Sequence, residues 1–187
     1  MARYVCPNRI NGLDIKIMSG HKKILAIDSG TRHMGTAFFE DEELTYHGVM
    51  VIKGEMPHDK LSDGRKAILR LIRDLKPNVL VVEKAFFANN RTASLLNVLV
   101  DEIKAIGKRK KIKVISYAPT TVRKFICGNG RADKKTLSEV IVSMYPELKV
   151  YLTQDRAWKE RYHQNMFDAV GLGLMALSEN SNNFDKR

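Results

Sequence analysis

Between residues 24 and 52 the apolar positions fall in three short runs, 24–28, 34–40 and 44–52, joined only by Ser-Gly-Thr-Arg-His and Asp-Glu-Glu. Short apolar runs bounded by turn residues read as strands, and turns this brief make neighbouring strands antiparallel. The rhythm then changes. Ile68, Leu71, Ile72 and Leu75 fall at i, i+3, i+4 and i+7, one face of a helix that Pro77 stops. Residues 79–82 form a buried strand ending at Glu83. A helix over about 91–108 follows, with Leu95, Leu99, Ile103 and Ile106 on one face and a basic exit through 108–113. A short strand lies at 114–115. Pro119 opens a brief helix to Cys127, and Gly128-Asn129-Gly130 makes a loop. Leu137, Val140, Ile141 and Met144 mark another amphipathic helix, ending near Pro146. Residues 147–164 read as irregular and polar, around the single tryptophan, Trp158. A last helix is expected over 165–177. The order of three antiparallel strands, then helix, strand, helix, strand and helices, predicts one α/β domain built on a mixed sheet. Its bounds are 21–178, with residues 1–20 an N-terminal arm whose order the sequence leaves open, and 179–187 a polar tail.

Composition sharpens this picture in one respect. With 187 residues, 44% of them apolar, the chain is long enough for a single well-filled core. No apolar run approaches the ~18 residues of a membrane span, and the N-terminus lacks the apolar segment of a secretion signal. Cys6 and Cys127 form neither a disulfide framework nor a zinc pattern. A cytoplasmic protein with no membrane partner is the expectation. Thirty-two Lys and Arg against 21 Asp and Glu give a formal net charge of +11. An excess of that size in a small domain points to a polyanionic partner, most often nucleic acid.

The chemistry is carried by three acids. Asp28 closes the first strand and Glu83 closes the fourth, so each carboxylate is fixed by the sheet behind it. The third is Asp168, in the last helix, within Asn165-Met166-Phe167-Asp168-Ala169-Val170-Gly171-Leu172-Gly173. Asn165 and Asp168 are three residues apart and share a helix face. Ala169, Gly171, Gly173 and Ala176 are small enough to let this helix lie close to the sheet. One acid on an otherwise apolar helix is costly to bury without a partner. A divalent cation shared with Asp28 and Glu83 would supply one, and hard oxygen ligands suit Mg²⁺ or Mn²⁺. Two such ions about 4 Å apart serve phosphodiester cleavage. Taken singly, the acids have ordinary readings: Asp28 closing a hairpin, Glu83 at a strand end, Asp168 as a helix cap.

Four segments in order resemble the RuvC family of Holliday-junction resolvases, nucleases of the RNase H-like fold. Ile-Asp-Ser-Gly-Thr-Arg at 27–32 resembles the family's first acid motif, and Val82-Glu83-Lys84-Ala85-Phe86-Phe87-Ala88-Asn89-Asn90 resembles its second. Tyr117-Ala118-Pro119 through Gly128-Asn129-Gly130-Arg131-Ala132-Asp133-Lys134 resembles its DNA-contacting stretch, and Asp168-Ala169 its final acid. The resemblance covers about 24–178 and implies an RNase H-like mixed five-stranded sheet flanked by helices. It makes Asp28, Glu83 and Asp168 metal ligands, with two Mg²⁺ or Mn²⁺ ions per site. Phe86 becomes the aromatic that stacks at the junction centre. Arg123 and Lys134 fall where the family keeps cations near the scissile phosphate, either to hold it or to stabilise charge in the transition state. Lys84, Arg131 and Lys135 are further phosphate contacts. The family usually has an acid, sometimes a histidine, where this chain has Asn165. An amide oxygen there ligates a metal without adding charge. His163 lies five residues from Asp168, off that helix face, and is not assigned.

The reading is a structure-selective DNA endonuclease. The resemblance implies a homodimer that makes paired nicks in a four-way junction, leaving 3′-hydroxyl and 5′-phosphate ends, with branch-migration proteins as possible partners. Three alternatives stand beside it: a junction-binding protein with little or no cleavage, a related nuclease for another branched or hybrid nucleic acid, and a sugar-kinase or actin-like ATPase. The last needs two such domains and a second phosphate loop.

Overall fold

The computed structural model describes residues 9–10, 13–14, 21–84, 91–152 and 157–182. Of the N-terminal arm, it describes a pair of two-residue antiparallel strands, Arg9–Ile10 (β1) and Leu13–Asp14 (β2). Phe86, expected to stack on DNA, lies outside the described residues.

Lys23–Asp28 (β3), His33–Glu40 (β4) and Glu43–Val51 (β5) form an antiparallel meander. Helix Pro57–Leu75 (α1) follows and ends where Lys76 turns left-handed (φ 50°) ahead of Pro77. Val79–Glu83 (β6) then pairs in parallel with β3, and after helix Arg91–Arg109 (α2), Lys113–Tyr117 (β7) pairs in parallel with β6. The sheet order is β5-β4-β3-β6-β7, the expected mixed five-stranded sheet. The remaining elements are Pro119–Cys127 (α3), Lys134–Met144 (α4), a 3₁₀ turn Pro146–Leu148, Lys149–Leu152 (α5) and Ala157–Asn182 (α6). Proline opens α1 and α3, where its missing N–H costs nothing. Among the described residues, no helix is long and apolar enough to cross a membrane.

Strand parity sorts the core into two layers. In β3, Ile24 and Ala26 face one side of the sheet while Leu25 and Ile27 face the other; in β6, Val79 and Val81 oppose Leu80 and Val82. One layer packs on α3, α4 and α6 and the other on α1 and α2. Both faces of β3 are covered, which is why its apolar run is continuous rather than alternating.

Helix α6 differs from expectation at its start. It begins at Ala157, not 165, and with α5 and the 3₁₀ turn most of the stretch read as irregular is helical. Lys-Glu-Arg favours helix by propensity but supplies no apolar stripe for a periodicity reading to find. Asp168 therefore sits deep inside the helix and does not cap it. From Met166 to Leu177 nearly every position is buried, as expected of a helix that is apolar all round. Gly173 lets it lie against β4, for a Cβ there would collide with the Phe39 ring. Gly173→Ala should destabilise the protein by about 1–3 kcal/mol, the usual cost of overpacking. The midpoint of denaturant unfolding should fall with an unchanged slope; an unchanged midpoint would mean the two elements separate easily.

Candidate active site

The parity that builds the core also aims the acids. Asp28 comes two residues after Ala26, and Glu83 two after Val81, so both carboxyls point to the α6 side of the sheet. Because β3 and β6 are neighbours in parallel, with Ile27 opposite Val82, the two strands deliver their acids at the same end. Asp168 descends onto that end from α6, which packs across β3 and β4. A cleft there is lined by Glu83, Arg123, Asp168, Pro119, Val122, Leu137 and Leu172.

The rim is cationic. Asp133 caps α4, its Oδ1 accepting from the Thr136 N–H at 2.7 Å, and this sets Lys134 on the first turn. The Lys134 Nζ stands 3.4 Å from Asp168 Oδ2; the lysine side chain is 56% exposed and the aspartate 13%, so the ammonium leans inward from solvent. Arg123, half-buried on α3, faces Glu83 and Asp168.

Charge is badly balanced here. Burial pushes the Asp28 carboxyl well above the usual range, the charges of Asp168 and Glu83 push it further, and Lys134 only partly opposes them. Burial also raises Glu83, against a hydrogen bond shared with Asp28; the Asp168 charge adds to the rise, while Lys134 and Arg123 restrain it. Asp168 is raised by burial in spite of Lys134 and Arg123. Three acids held together against two cations thus favour protons they would not keep in water.

A divalent cation would supply the positive charge that the crowded Asp28, Glu83 and Asp168 lack. Among the described residues no three His, Cys, Asp or Glu side chains close into a ready-made metal cage. An open arrangement of carboxylates leaves coordination positions to waters and substrate phosphates.

The structure thus brings together Asp28, Glu83, Asp168, Lys134 and Arg123. Lys84, Arg131 and Lys135 are exposed, and Lys135 lies 3.9 Å from Glu139 on its own helix. Asn165 is half-buried, with its Nδ2 donating to the His33 carbonyl at 2.7 Å. Sequence reasoning missed Gln164 and Ser138. The Ser138 hydroxyl donates to the Lys134 carbonyl at 3.0 Å and lies 3.5 Å from Gln164 Oε1, tying α4 to α6 behind the Lys134–Asp168 pair. Gln164 is one turn before Asp168, a spacing legible only once the helix is known to start at 157.

The family model for crossover junction endodeoxyribonuclease RuvC matches residues 24–156, a span that includes Asp28 and Glu83 and ends before Asp168. A crossover junction endodeoxyribonuclease RuvC of Prochlorococcus marinus subsp. pastoris is 30% identical over 162 residues, covering 84% of this chain and 97% of the relative. One from Rubrobacter xylanophilus is 32% identical over 130 residues, covering 63% and 69%. The T. thermophilus RuvC in complex with Holliday junction substrate has the same fold, with TM-score 0.69 at 16% identity over 87% of this chain and 97% of that one. So does the yeast mitochondrial Holliday junction resolvase Ydc2, with TM-score 0.65 at 14% identity over 90% and 85%. By sequence and by fold, this chain belongs to the RuvC family of crossover junction endodeoxyribonucleases.

Proposed function

We propose that the protein resolves four-way DNA junctions by metal-dependent hydrolysis of phosphodiester bonds, in paired nicks made by the two subunits of a homodimer. The observation that supports this most is the convergence of Asp28, Glu83 and Asp168 from three separate elements onto one pole, beside Lys134 and Arg123. A twofold dimer matches the pseudo-twofold symmetry of a junction.

Asp28, Glu83 and Asp168 are the residues that would hold Mg²⁺ or Mn²⁺, as a pair of ions. Bound metal supplies an activated water and neutralises charge on the attacked phosphate and the leaving oxygen. The chain's own groups do the rest. The two strand-borne acids are rigid, so they fix the scissile phosphate relative to the sheet. Lys134, next to Asp168, reaches a non-bridging phosphate oxygen and stabilises negative charge as the bond to the 3′-oxygen breaks. Arg123 holds the phosphate from the other side, while Lys84, Arg131 and Lys135 contact the backbone further out. Phe86, just past β6, stacks on an unpaired base at the junction centre.

Cleavage of a labelled four-way junction with Mg²⁺ or Mn²⁺ is compared with duplex, flap and RNA–DNA hybrid. Metal-dependent, paired nicks confined to the junction are expected, with binding that weakens steeply as salt rises. Binding without product would make the protein a junction-binding module. Preferential cleavage of the hybrid would move it to a different substrate.

A further inference from the structure

Asp28 and Asp168 lie 140 residues apart in the sequence, yet must be held in register to within a fraction of an ångström to act together. A side-chain hydrogen bond links α6 to the start of β4, beside the strand that carries Asp28. The Asn165 Nδ2, one turn before Asp168, donates to the main-chain carbonyl of His33, in the first residue of β4. A carbonyl only accepts, so the amide must present its nitrogen here.

The surroundings are shaped to this contact. Gly35 pairs with Asp28 across the β3–β4 ladder, and a Cβ on Gly35 would collide with the main chain of Asn165. A Cβ on Gly30 would collide with the His33 carbonyl and lie 3.1 Å from Asn165 Nδ2. The backbone of α6 therefore rests on β4 at Gly35, opposite Asp28, and the Asn165 side chain reaches the turn at Gly30. Tyr162, three residues earlier on the same helix, meets the His33 ring edge-on at 5.0 Å. An aspartate at 165, the residue type that the family resemblance leads one to expect, has no hydrogen to donate to that carbonyl when ionised.

We propose that Asn165 is a positioning residue that clasps α6 to the β3–β4 turn and so sets the spacing of Asp168 from Asp28. The inference rests on the reading of those acids as the catalytic centre. With the amide nitrogen committed to His33, the fold sets the plane of the side chain.

The clasp and the ligand readings predict opposite results for Asn165→Asp. A ligand gaining a charge would lower the Mg²⁺ concentration for half-maximal cleavage and preserve the rate. A broken clasp lowers the rate by about 10²-fold, the cost of misplacing a reacting group by an ångström, and, because it loosens two residues that would hold the metal, does not lower that Mg²⁺ midpoint. Asn165→Ala raises the midpoint or lowers the rate under either reading, so for that variant the exchange measurement separates them. Independently of activity, amide hydrogen exchange over residues 29–35 should quicken in both variants while junction affinity is retained. Unchanged exchange there, or a lowered Mg²⁺ midpoint with the rate preserved in Asn165→Asp, overturns the clasp. Failure of wild-type protein to cut any junction would instead overturn the catalytic reading, and the exchange measurement would still decide the clasp.

Discussion

Asp28→Asn abolishes junction cleavage, lowering kcat on the order of 10⁴-fold, as loss of one member of an interdependent catalytic set does. Junction binding is retained or slightly tightened, because a negative charge facing the phosphates is gone. The same substitution raises the melting temperature of the metal-free protein. Its direction with pH follows from the raised carboxyls. Unfolded, Asp28 ionises near pH 4; folded, it ionises at a higher pH, because burial and two neighbouring acids oppose its charge. Between those values the folded state binds more protons than the unfolded one, so stability falls as pH rises. The cost is absent below the unfolded value and complete above the folded one. Wild type and Asp28→Asn should therefore melt alike in acid and diverge towards neutral pH, in chelator, with the variant higher. A variant that still cuts would misplace the active site; a gap that does not widen with pH would mean the acids are not crowded.

Lys134→Met should reduce kcat by about 10²-fold, the usual loss when one preorganised charge is removed from a site of developing negative charge. It should also move the pH profile. Lys134 lowers the proton affinity of Asp28, Glu83 and Asp168 alike. Without it all three rise further, so the acidic limb of the kcat/KM profile shifts to higher pH. Lys134→Arg should not restore the rate fully, for a planar fork does not replace a compact ammonium on this short reach to Asp168. A lower rate with an unmoved acidic limb would place Lys134 on DNA alone and not among the carboxylates.

Much of this site was legible in the sequence because strand parity is strict. Ile24, Ala26 and Asp28 form one alternating series, as do Val79, Val81 and Glu83, and each acid ends a run that only a buried strand explains. The three-strand meander and both crossover helices followed from the same periodicities. The beginning of α6 did not, since residues 157–164 carry helix-forming side chains without an apolar stripe, and tertiary placement decided their state. That misreading hid Gln164 and left Asp168 open to being taken for a cap. The Asn165 contact was not legible either, because a bond spanning 132 residues leaves no local signal. Lys134 and Arg123 were singled out by family resemblance alone; nothing in their spacing distinguishes them from the other cations of a basic chain.

The division of the core into two layers has a practical corollary. Ile68, Leu71, Ile72 and Ile103 pack in the layer formed with α1 and α2, across the sheet from the carboxylates. A protein engineer seeking a heat-tolerant junction cutter can rework that hidden half freely. The half beneath α6 leaves less latitude, because it includes the faces of β3, β6 and α6 that carry the three acids.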